Sequence, residues 1–244
     1  MRSAKDSLIV ALDVGDAAEA KRLVSAVGPY AGYFKIGKQL FTAEGPHLVR
    51  DLLEMGNRIF LDLKFYDIPN TVSGAVKSAA QLGASMLTVH ALGGSAMLRA
   101  AADAAATFTP KPLVLAVTVL TSMSDSDLEQ IGLSGRVADQ ALRLGSLARN
   151  CGCDGVISSP KEVRALKREL GDGFTIVTPG VRPADSKRDD QSRIATPGEA
   201  IASGATHLVV GRPITAAKDA AAAAEKILKE IESALAVSAL PALP

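Results

Sequence analysis

Eight short runs of apolar, β-branched residues punctuate the chain: Ser7–Val14, Tyr33–Gly37, Arg58–Lys64, Met86–Ala91, Leu113–Leu120, Gly155–Ser159, Phe174–Pro179 and His207–Gly211. They are mostly apolar throughout rather than alternating, the pattern of parallel strands covered on both faces. Between them apolar residues return at helical spacing. Ala17, Ala20, Leu23, Val24 and Val27 form one stripe, and Val72, Ala75, Val76 and Ala79 another. Ala217, Ala221, Ala224, Ile227, Leu228, Ile231 and Leu235 form the last. Gly56, Gly83, Gly152, Gly171 and Gly204 each fall a few residues before a strand, where a left-handed residue ends a helix. Thr196-Pro-Gly-Glu199 is a capping box with proline at the first helical position, so a helix begins there. Strands and helices alternate eight times without a linker or compositional break. This predicts a single (β/α)8 barrel over residues 1–244, with a flexible tail after about 235. A doubly wound open sheet fits the same periodicity, which carries no information on closure.

In a barrel, chemistry gathers at the C-terminal ends of the strands, and the polar residues fall there. The first run ends with Asp13, the second with Lys35, the third with Asp62 and Lys64, and the fourth at His90. The fifth reaches Thr118 and Thr121, and the eighth Gly211-Arg212. The opposite ends show no matching collection in the sequence.

Asp62-Leu-Lys-Phe-Tyr-Asp67-Ile-Pro-Asn-Thr71 is the most informative segment. On a strand, alternate side chains share a face, so Asp62 and Lys64 point the same way, with Cα atoms roughly 6–7 Å apart. Burying a carboxylate and an ammonium there is costly unless they are paired and used. Asp67 adds a second carboxylate where the chain turns out of the strand, and Lys35 ends the neighbouring strand. One such ion pair is as readily structural as functional. Four charges of alternating sign at adjacent strand ends point to a site.

Composition narrows the function further. Apolar residues make up 48% of 244 and aromatics 4%, with no Trp, which suits helices packed closely on a sheet. Net charge is +1, from 27 basic and 26 acidic residues, without the basic face expected of a nucleic-acid binder. No apolar run approaches the ~18 residues of a membrane span, and the N-terminus has no signal-peptide pattern. The three histidines, His47, His90 and His207, lie too far apart for zinc-ligand spacing. Cys151-Gly-Cys153 reads as two free thiols in a reducing cytoplasm, with a redox pair as the alternative.

One connection is long. Gly180 to Arg193 has no periodicity and mixes basic and acidic residues, the mark of a lid or a solvated loop. It follows the seventh strand, where barrels commonly hold phosphate. Arg182, Gln191 and the Gly211-Arg212 pair offer cations, an amide and exposed backbone N–H groups.

Taken together, these residues resemble the orotidine 5′-phosphate decarboxylase family in its bacterial form, over the whole chain except the tail. Asp62-x-Lys64-x-x-Asp67-Ile-x-x-Thr71 matches the family's most specific motif. Asp13, Lys35, Thr121, Pro179-Gly-Val-Arg182, Gln191 and Gly211-Arg212 stand at its substrate contacts. The resemblance implies a homodimeric barrel that converts orotidine 5′-monophosphate to uridine 5′-monophosphate, with no cofactor and no metal. It implies Lys64 as proton donor within a network of Lys35, Asp62, Lys64 and Asp67. Asp67 and Thr71 would reach the partner subunit's site. Asp13 and Lys35 would hold ribose, Thr121 the pyrimidine, and Arg182, Gln191 and Arg212 the phosphate.

Two other readings share parts of this pattern. Sugar-phosphate lyases of the same superfamily carry a similar Asp-x-Lys-x-x-Asp core but bind magnesium with an acidic residue near the end of strand two. Lys35 stands there instead, and would repel a metal. A non-catalytic nucleotide-phosphate binder would keep the phosphate grip without needing Asp62 or Lys64.

Overall fold

A computed structural model describes residues 3–183 and 195–238. Eight parallel strands close in sequence order into a barrel: β1 (Leu8–Ala11), β2 (Tyr33–Gly37), β3 (Ile59–Phe65) and β4 (Met86–His90), then β5 (Leu113–Val117), β6 (Gly155–Ile157), β7 (Thr175–Thr178) and β8 (His207–Val210). β1 pairs with β8, which excludes the open sheet. The helices are α1 (Ala4–Ser7), α2 (Ala17–Val27), α3 (Lys38–Glu54), α4 (Pro69–Gln81), α5 (Gly94–Ala106) and α6 (Asp125–Gln130). They continue with α7 (Val137–Asn150), α8 (Val163–Leu170), α9 (Pro197–Ala202), α10 (Arg212–Thr215) and α11 (Ala220–Ser238).

Two apolar layers explain why the strand runs read as apolar throughout. Ile9, Ala11, Phe60, Met86, Leu115, Val177 and Val209 fill the barrel interior. Val10, Phe34, Ile36, Leu61, Leu87, Val114 and Ile176 pack outward against the helices, in a core shared with Leu23, Val76 and Ile227. The helix exits use the expected device: Gly56, Gly83, Gly152, Gly171 and Gly204 all have positive φ, between 79° and 108°. Thr196 and Glu199 form the reciprocal capping box, with Pro197 at the first turn of α9.

Three features depart from the sequence reading. α11 begins at Ala220, not Ala217, because Asp219 accepts the Ala222 N–H at 2.9 Å and starts the helix there. It runs to Ser238, past the expected start of the tail; residues 239–244 lie outside the described set. The fifth strand stops at Val117, so Thr121 sits in the loop beyond it.

The third departure concerns the N-terminal end of the barrel, which does carry a polar cluster. The Arg58 guanidinium lies 4.1 Å from the Tyr33 ring centroid, pairs with Asp6 and donates to the Gly32 carbonyl at 3.0 Å. Tyr33 in turn packs edge-on to His207, with ring centroids 5.8 Å apart. These groups belong to different strands and to α1, so their convergence is a property of closure that no single run displays. Their mutual pairing marks them as a floor for the barrel.

Candidate active site

The C-terminal strand ends surround a cavity of about 260 Å³. Its apolar wall comes from Ala11, Phe60, Val117, Ile157 and Val209, the upper residues of the barrel interior. Parallel register brings the charges of three strands to one level: Ala11 pairs with Lys35, and Gly37 with Asp62. A continuous chain of ion pairs results. Lys35 Nζ lies 3.0 Å from Asp13 Oδ1 and 3.7 Å from Asp62 Oδ2, while Lys64 Nζ lies 2.8 Å from Asp62 Oδ1. Gly37 and Gly211 leave room for it. A Cβ at Gly37 would come within 3.1 Å of Lys35 Nζ, and one at Gly211 within 3.4 Å of Asp13 Oδ2.

Asp62 and Lys64 share the barrel side of β3, as alternation predicts, while Leu61, Leu63 and Phe65 face the layer between α3 and α4. The strand is nevertheless irregular. Its register with β4 moves from Leu61–Leu87 to Phe65–Val89, so β3 holds two extra residues in a bulge. Within it Lys64 has φ +53°, the one non-glycine among the described residues with positive φ. Such a conformation costs of order 1–3 kcal/mol and persists only where surrounding contacts enforce it.

Those contacts come from Thr88 on β4, which sequence reasoning missed. Its hydroxyl accepts the Lys64 backbone N–H at 2.8 Å and donates to Asp62 Oδ1 at 3.0 Å. A signal was present: Thr88 is a polar residue in the inward-facing series Met86, Thr88, His90, between the apolar Met86 and the strand-end His90.

Burial pushes the Asp62 carboxyl up. Lys35, then Lys64, and the hydrogen bonds from Lys64 and Thr88 outweigh it, holding the group below the usual carboxylate range. His90 is held below its ordinary value by burial first, then by Lys64 and Lys38. Both effects favour the neutral ring, whose Nδ1 accepts the Leu92 N–H at 3.4 Å.

The remaining expected residues divide into two groups. Thr121, Arg182, Gly211 and Arg212 line the cavity. Arg182 is buried, with its backbone N–H tied to the Ala195 carbonyl at 3.0 Å. Asp67 and Thr71 do not line it. Both are exposed, and Asp67 Oδ1 accepts the N–H of its own neighbour Ile68 at 2.6 Å. The fourth member of the charged chain within one subunit is therefore Asp13, not Asp67. Gln191, and the connection from residue 184 to 193, lie outside the described residues.

Among the described residues no three His, Cys, Asp or Glu side chains are grouped to hold a metal ion, and no helix is long and apolar enough to cross a membrane. Cys151 and Cys153 are free and buried. Burial, then Cys151 and Asp154, pushes the Cys153 thiol up to about 12, which removes the thiolate that redox exchange needs.

The chain is similar to known proteins along nearly its whole length. The profile of the orotidine 5′-phosphate decarboxylase / HUMPS family matches residues 6–227. The orotidine 5′-phosphate decarboxylase of Moorella thermoacetica is 54% identical over 235 residues, covering 94% of this chain and 93% of the relative. That of Halorhodospira halophila is 53% identical over 227 residues, covering 93% and 96%. The crystal structure of orotidine 5′-phosphate decarboxylase from Lactobacillus acidophilus superposes with a TM-score of 0.82 at 43% identity, over 92% of this chain and 98% of that one. With the charged chain at the barrel mouth and relatives of this similarity along nearly its whole length, the protein belongs to the orotidine 5′-phosphate decarboxylase family.

Proposed function

We propose that this chain decarboxylates orotidine 5′-monophosphate to uridine 5′-monophosphate and CO2 without a cofactor, a step of pyrimidine biosynthesis. The observation that carries the reading is the Asp62–Lys64 pair, 2.8 Å apart at the wall of a cavity that Arg182 and Arg212 also line. Breaking the bond between C6 and the carboxylate leaves its electron pair on C6, in the ring plane and outside the π system. Stabilisation must therefore be electrostatic, and a proton must be supplied. The Lys64 ammonium does both: it sits beside the developing carbanion and then gives C6 a proton. Asp62 faces the substrate carboxylate. Two like charges ~4 Å apart at an effective dielectric of ~20 repel by roughly 4 kcal/mol, and departure of neutral CO2 relieves that. Enzymes typically lower barriers by ~8–23 kcal/mol, so most of the effect comes from Lys64 and from binding energy spent on holding the ring.

Asp13 and Lys35 hold the ribose, Thr121 the pyrimidine, and Arg182, Gln191, Gly211 and Arg212 the phosphate. Asp67 and Thr71 complete the site of a second subunit. Their exposure, next to the exposed apolar side chains of Tyr66 and Ile68, supports that assignment. The enzyme works as a homodimer of single-domain subunits in the cytoplasm.

A magnesium-dependent lyase is the reading to be separated. Lys35, paired to Asp13 and Asp62, occupies the place where those relatives put an acidic ligand. The test is turnover of orotidine 5′-monophosphate before and after exhaustive chelation, followed spectroscopically. Full activity after chelation is expected. Activity lost on chelation and restored by magnesium would overturn the proposal, as would no turnover at all.

A further inference from the structure

The bulge in β3 leaves a gap in the β3–β4 ladder. From Leu61 to Phe65 the strand advances four residues, while β4 advances two, from Leu87 to Val89. Thr88 is the one residue of β4 between those paired positions. It is fully buried, and it fills the gap with its side chain. A threonine hydroxyl has one proton to give and two lone pairs to receive. Here one lone pair takes the Lys64 N–H at 2.8 Å, and the proton goes to Asp62 Oδ1 at 3.0 Å. Lys64 Nζ donates to that same oxygen at 2.8 Å. Oδ1 is thus engaged twice, while Oδ2 has Lys35 Nζ 3.7 Å away and is the freer oxygen.

We propose that Thr88 is a positioning residue for the decarboxylation, its hydroxyl holding the Lys64 backbone in its left-handed turn and fixing the orientation of the Asp62 carboxylate. This rests on the function proposed above. One hydroxyl sets the main chain of the proton donor and the oxygen of its partner together, so their relative placement is fixed before substrate arrives. The site gains preorganisation from a group that never touches the substrate. Valine has nearly the same shape and lacks the hydroxyl. In its place the Lys64 N–H would be buried without a partner, and Asp62 would keep its two lysines but lose the one contact that comes from β4.

Thr88→Val and Thr88→Ser separate this role from packing. The valine variant is expected to lose roughly ten- to hundredfold in kcat, the range for a hydrogen bond to a charged group. KM should change much less, because ribose and phosphate contacts are untouched. The serine variant, which keeps the hydroxyl and loses only the methyl, should recover most of kcat. Amide hydrogen exchange gives a readout independent of turnover: Lys64 should exchange faster in Thr88→Val than in wild type, and not in Thr88→Ser. If Thr88→Val does not fold, Thr88→Ala replaces it in both measurements. Wild-type kcat in the hydroxyl-free variant would overturn the proposal, and so would an equal loss in Thr88→Ser. Failure of wild type to decarboxylate orotidine 5′-monophosphate would count against the proposed function instead, and the exchange measurement would still decide what Thr88 holds.

Discussion

In the proposed mechanism Lys64 combines electrostatic stabilisation and proton donation in one ammonium, and a single substitution separates both from binding. Lys64→Ala is expected to lower decarboxylation by at least about a hundredfold, the lower range for general acid–base catalysis. Uridine 5′-monophosphate should still bind through ribose and phosphate contacts. Turnover assays beside calorimetric titration check this, and near-normal turnover would remove Lys64 from the mechanism. Asp62 must be ionised for the pair to exist. Its folded pKa is depressed, so it contributes stability above its unfolded value near 3.8 and loses it as pH falls through the lower folded value. The pair therefore persists unchanged across the neutral range. At this scale the sequence was legible where chemistry follows residue type and strand position: Asp13, Lys35, Asp62 and Lys64 were all identifiable. Thr88 is marked there only as a polar residue on an inward-facing series; the contacts it makes depend on a register shift between β3 and β4, which nothing local to either strand encodes.

The elements divide labour between the two ends of the barrel. The C-terminal ends hold the charges to which the proposed mechanism assigns chemistry, and the N-terminal ends hold a paired cluster that joins α1, β2 and β8. Arg58→Ala tests that division. It removes a cation–π contact, a hydrogen bond to the Gly32 carbonyl and a partly exposed ion pair to Asp6. Contributions of these kinds suggest a loss of about 1–2 kcal/mol in stability, with the ion pair the smallest part. Chemical denaturation should show that loss while kcat stays at the wild-type value. A fall in kcat at unchanged stability would mean that the floor is coupled to the site. Strand and helix existence was readable because both faces of each strand are buried and each helix has an apolar stripe. Element ends were less so. The start of α11 is set by one Asp219 contact, and the end of β5 by where the chain leaves its neighbour β6.

For the whole molecule, the sharpest question is whether each site draws on two chains. If Asp67 completes the partner's site, mixing inactive Lys64→Ala and Asp67→Ala proteins under subunit exchange should create heterodimers with one intact site, and activity should return to about a quarter of wild type for random pairing. Exchange verified by mass with no recovered activity would refute the shared site. The dimer is an expectation from resemblance alone, because a surface shared by two chains leaves no periodicity in one. The charge around the cavity has another consequence. The chain as a whole is almost neutral, at +1, yet the described cavity residues set four cations, Lys35, Lys64, Arg182 and Arg212, against Asp13 and Asp62. The attraction is therefore local to the mouth, and a polyanionic nucleotide feels it only within roughly a Debye length, ~8 Å at physiological ionic strength. Salt weakens capture at that short range without altering the bonds that follow, and a product lacking the carboxylate is held by one charge fewer than the molecule that entered.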